Sequence, residues 1–168
     1  MPNTDAELVA LLHRLDDPES LEHPRGYDHT ATRARFDRLA AGLDAAFGTR
    51  CPADREVQDA SLHGRVDVPA GATASGVPIV VSVSNFGAMA VISAENPGVH
   101  LDTDEAVAAG ALNAGDLAAV ESVLAEQGYR VLPERLLTRP YDGAGAVLLA
   151  YGGAGRPCDW WVRFFDYL

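Results

Sequence analysis

Two adjoining stretches decide the fold: Ala60-Ser61-Leu62-His63-Gly64-Arg65-Val66-Asp67-Val68, and, past a loop of small residues, Val77-Pro78-Ile79-Val80-Val81-Ser82-Val83-Ser84-Asn85-Phe86-Gly87-Ala88-Met89-Ala90-Val91-Ile92-Ser93. In the first, Ala60, Leu62, Gly64, Val66 and Val68 alternate with Ser61, His63, Arg65 and Asp67. A period of two predicts a strand with one buried and one wet face, and it puts His63 on the wet side. In the second, Val77, Ile79, Val81 and Val83 share a face, and Pro78 stands at the strand start, where a missing donor is tolerated. Asn85-Phe86-Gly87 is a tight connection, since Asn and Gly accept positive φ. A third strand follows from Ala88 to Ser93. Short connections imply antiparallel neighbours.

Upstream of the strands the period is helical. Thr4-Asp5-Ala6-Glu7 has capping-box spacing, and Leu8, Leu11, Leu12 and Leu15 recur on one helix face before Pro18. A polar linker from Asp16 to Gly26 leads to a second helix, which starts near Asp28 or Thr30 and ends at Phe47. Its core face is Phe36, Leu39, Leu43 and Phe47, with Gly48 placed as a C-terminal cap.

Downstream, Asp102-Thr103-Asp104-Glu105 is an acid-rich helix start that suits the positive end of a helix dipole. A short helix from Asp104 to Leu112 and a longer one from Ala114 to Gln127 are expected, the latter with Leu117, Val120 and Leu124 inside. The tail reads as strands at Tyr129–Leu132, Arg135–Thr138, Ala146–Tyr151 and Cys158–Tyr167. The expected fold class is α+β: one domain over residues 1–168, a mainly antiparallel sheet, helices packed on one face, and an order of roughly ααβββααβββ.

Composition narrows the function. The chain has 168 residues, 24 Asp plus Glu against 13 basic residues, and a formal charge of −11. All the basic residues are arginine. Such a charge repels nucleic-acid phosphates and attracts basic partners; the basic stripe of a nucleic-acid binder is missing. No stretch approaches the ~20 apolar residues of a membrane span. Met1-Pro2-Asn3-Thr4 lacks a basic n-region and an apolar h-region. Cys51 and Cys158 form no C-x-x-C pattern, and a cytoplasmic location with free thiols is expected.

Motifs for catalysis are weak. Gly152-Gly153-Ala154-Gly155-Arg156 follows an expected strand, but Pro157 and an aromatic run come next, where a phosphate loop needs a helix. His13, His23, His29, His63 and His100 make no i, i+4 zinc pair. His100, Asp102, Asp104 and Glu105 are dense in oxygen and nitrogen donors, yet they read as a helix cap rather than a metal site. No nucleophile elbow is present. No catalytic residue, metal or cofactor is therefore assigned.

The remaining reading is a small acidic binding protein, such as an immunity- or antitoxin-like inhibitor of a basic protein, by compositional analogy with small acidic bacterial immunity proteins. Asp16, Asp17, Glu19 and Glu22 form one candidate acidic surface, and Asp102, Asp104 and Glu105 another. Trp161 and Arg163, on the odd-numbered face of the last expected strand with Phe165 and Tyr167, are candidate contacts, because aromatics and arginine dominate binding hot spots. The alternatives are an enzyme with a non-motif carboxylate or histidine site, and a structural subunit of a larger assembly.

Overall fold

The computed structural model describes residues 3–145 and 158–166. Its sheet has five strands, β1 (Ala53–Asp54), β2 (Leu62–Val68), β3 (Ile79–Ser84), β4 (Met89–Ala94) and β5 (Arg130–Val131), in spatial order β1-β2-β3-β4-β5. Neighbours from β1 to β4 are antiparallel, and β4 pairs with β5 in parallel. The helices of the described residues are α1 (Asp5–Leu15), α2 (His29–Phe47), α3 (Thr103–Ala108), α4 (Ala114–Glu126), α5 (Glu134–Leu137) and α6 (Trp160–Phe165). The fold is α+β with a mostly antiparallel sheet, and its element order broadly follows the one expected.

Local chemistry explains the ends of these elements. Thr4 and Glu7 close a reciprocal capping box on α1, and Asp28 caps α2 by accepting from the Ala31 N–H at 2.9 Å. Gly48 ends α2 in the left-handed conformation. Between β3 and β4, Met89 N–H donates to Phe86 O while Gly87 and Ala88 both carry positive φ, 61° and 50°. That is the type I′ geometry that matches strand twist. The expected turn forms, but Ala88 rather than Asn85 takes the second left-handed position.

The core lies on both faces of the sheet. On one face α2, α3 and α4 pack Phe36, Leu39, Leu43, Val120 and Leu124 against Val66, Val81 and Ile92. On the other, α1, α5 and α6 pack Leu12, Leu136 and Phe164 against Met89 and Val91. Helices on one face only, as expected from the sequence, therefore gives way to helices on two. β3 and β4 are buried along their whole length, as a sheet covered on both sides requires.

The C-terminal run departs most from expectation. Within Cys158–Tyr167, read as a strand, Trp160 to Phe165 is helical, capped by Asp159, whose side chain accepts from the Val162 N–H. Trp160 stacks on Phe164 and Trp161 on Phe165, each pair four residues apart. Residues at i and i+4 share a face in a helix and in a strand alike, so aromatic spacing alone did not separate the two. Arg135–Thr138, also read as a strand, is mostly the short helix α5 after Pro133. β1 is two residues long, too short to show a period. The expected strand Ala146–Tyr151, the glycine-rich stretch 152–156 and Tyr167 lie outside the described residues.

Candidate functional site

Arg163 and Asp16 were expected at a partner-facing surface; both are interior. The Arg163 guanidinium is 0% exposed and donates through Nε to Asp16 Oδ1 at 2.7 Å, and the Asp16 carboxylate is 3% exposed. Asp16 Oδ2 also accepts from the Tyr141 hydroxyl at 2.5 Å. A side chain closed to solvent cannot meet a partner, so this pair is structural. Trp161 is half-buried against Phe165.

The other acidic candidates fall into two groups. In the linker between α1 and α2, Arg25 pairs with Asp17 at 2.7 Å and Glu19 at 2.8 Å, leaving Glu22 exposed. The Glu19 backbone N–H and then Arg25 hold the Asp17 carboxyl below its usual range. At the start of α3, Asp102 caps the helix by accepting from the Glu105 N–H at 3.0 Å, and it pairs with Arg135, which also grips Asp5. Asp102 is thus a structural cap, whereas Asp104 and Glu105 remain exposed. Glu22, Glu95 and Asp104 are exposed carboxylates that meet no arginine in an ion pair among the described residues.

The loop between β4 and α3 was not singled out in the sequence. It presents Val99, 49% exposed, and Leu101, 60% exposed, the large hydrophobic side chains left in solvent among the described residues. Glu95 precedes them and Asp104 and Glu105 follow. The loop is fastened from beneath. Glu134 Oε1 accepts from the Gly98 N–H at 2.7 Å, and the Glu105 carboxylate accepts from the Leu101 N–H. Burial raises the Glu134 carboxyl to about 6. Asn-Pro-Gly marks the turn in sequence; only burial reveals that the apolar residues after it have no cover.

A third group surrounds His63, which was expected to be exposed and is 5% exposed. A β-bulge between Leu62 and Gly64 breaks the alternation, so His63 packs edge-on to Phe36 of α2. Asn85 Nδ2 donates to the Glu22 and Ala60 carbonyls, which fixes its Oδ1 as the acceptor for His63 Nδ1 and the Tyr27 hydroxyl, both at 2.9 Å. Burial lowers the His63 pKa. His63 lines a cavity of about 130 Å³ together with His23, Tyr27, His29, Arg33 and Arg55. Its Nε2, the lone pair a general base would use, is closed to solvent and unpaired. The cluster ties the linker after α1 to the sheet more readily than it moves protons.

Among the described residues no three His, Cys, Asp or Glu side chains gather to hold a metal ion, and no helix is long and apolar enough to cross a membrane. Both cysteines are free and buried, and burial raises both thiols, Cys51 to about 11. That suits inert core residues rather than nucleophiles. No family model, curated protein or solved structure matches the chain.

Proposed function

We propose that this chain is a small acidic cytoplasmic protein that binds a basic protein, as an immunity- or antitoxin-like inhibitor would, and does not bind nucleic acid. One observation carries the reading: carboxylates outnumber arginines 24 to 13, and several of them stand exposed outside any ion pair among the described residues. Arg25, Arg55, Arg65, Arg135 and Arg163 each pair with a carboxylate, while Glu22, Glu95 and Asp104 stay exposed without such a partner among the described residues. A formal charge of −11 is therefore presented outward, and such a field speeds encounter with a positively charged surface. The sealed Nε2 of His63 favours binding over catalysis by that residue.

The test is a pull-down on the immobilised chain from the lysate of its own cells, beside a charge-reduced variant in which Glu22, Glu95 and Asp104 become amides. The reading expects a basic protein that is retained by the parent and weakened on the variant. Turnover of a small molecule that depends on a histidine or carboxylate, with no basic protein retained, would transfer the function to an enzyme.

A further inference from the structure

We propose that Val99 and Leu101 form the contact point of that binding surface, and that their occupant is a basic protein segment with an apolar side chain beside its lysines or arginines. The inference rests on the binding reading above and adds the place and the partner's chemistry.

Folding buries apolar side chains of this size wherever the core offers room, and leaving one in water forgoes that stabilisation. Here two exposed ones stand one residue apart, on a loop with no sheet or helix over it. Single exposed hydrophobics need no explanation. This pair differs in being held: the Gly98 N–H is bound by the buried Glu134, the Leu101 N–H by Glu105, and Asp102 by Arg135. A loop fixed at three points loses little conformational entropy when a partner closes on it, so more of the contact energy goes into affinity.

Charge selects the occupant. Glu95 precedes the apolar pair in the chain and Asp104 and Glu105 follow it, all exposed, with the Glu105 carboxylate on the Leu101 N–H. An apolar centre thus stands with carboxylates on either side of it in sequence. A second copy of the chain would bring the same carboxylates face to face under a net charge of −11 each, and an anionic lipid surface would be repelled likewise. A cationic segment meets these carboxylates favourably while its apolar side chain covers Leu101.

The experiment uses two defined probes on the full chain at low salt: a peptide of alternating lysine and leucine, and an oligolysine of equal charge. The lysine–leucine peptide should shift the methyl resonances of Val99 and Leu101. Leu101→Ser should weaken it by about tenfold, since a buried leucine is worth at least one decade of affinity, and Val99→Ser by less. Oligolysine binding should be the same for parent and variants. If the lysine–leucine peptide binds parent and both variants equally, the contact point lies elsewhere while the acidic binding reading stands. If neither peptide binds the parent, both readings fall.

Discussion

Arg163 Nε donates to Asp16 Oδ1 at 2.7 Å across 147 residues of sequence, joining the last helix to the end of the first. Both terminal nitrogens donate as well: Nη1 to the Leu21 carbonyl, Nη2 to those of Asp17 and Ser20. The guanidinium carbon sits 4.7 Å from the ring centres of both Phe86 and Phe164. The acidic linker after α1 is therefore shaped by a buried cation, and the surface that carries Glu19 and Glu22 depends on a residue no partner can touch.

Arg163→Met should show this in stability. Removing one member of a buried ion pair strands the other, at a cost of roughly 3–5 kcal/mol. Lysine should not rescue it, because a single ammonium cannot reproduce the planar fork that spans Asp16 and three carbonyls. Urea denaturation measures the difference; a loss under about 1 kcal/mol, the scale of an exposed pair, would contradict the buried network.

Gly64→Ala should also destabilise the fold. A Cβ there would lie 2.5 Å from the Asp54 carbonyl oxygen and 2.9 Å from Phe36 Cζ, so β1 must retreat or the ring must move. Overpacking of this kind costs typically 1–3 kcal/mol, and thermal melting would register it. An unchanged melting temperature would mean that β1 does not press on β2.

His63 should make stability fall in acid. Burial lowers its pKa in the folded chain below the 6.5 of the unfolded one. Below pH 6.5 the unfolded chain takes up a proton that the folded chain resists, so stability is full above that pH and declines beneath it. His63→Gln should remove this part of the pH dependence in denaturation curves taken across the window.

Glu134 acts in the opposite direction. Its carboxyl is raised from 4.5 to about 6, so between those values the folded chain holds the extra proton and stability falls as pH rises. Glu134→Gln keeps an acceptor for the Gly98 N–H and removes the titration. The parent's stability relative to the variant's should therefore fall as pH rises from 4.5 to about 6, whatever slope His63 gives both, and a difference constant over that range would refute the assignment.

Much of the fold was legible because burial repeats at regular intervals. The even positions of Gly64–Val68, the Leu8–Leu15 stripe and the caps at Thr4, Asp28 and Gly48 all carry local signals. His63 broke the pattern because a bulge is a property of two strands together. Trp160–Phe165 misled because i, i+4 aromatics satisfy both periods, and Arg163 reads as a surface cation until Asp16 and three distant carbonyls are brought to it. The exposed Val99 and Leu101 were invisible for the same reason: sequence marks them as apolar, and only packing decides whether anything covers them.

The association rate of the chain with the basic protein it retains, followed at low and at physiological salt, tests the central claim most directly. Electrostatic attraction acts over about one Debye length, ~8 Å at physiological ionic strength, and works mainly on encounter. The binding account predicts that association slows markedly with salt while dissociation changes little, and that amide substitution of Glu22, Glu95 and Asp104 reduces the salt dependence. An association rate indifferent to salt and to those substitutions would contradict it.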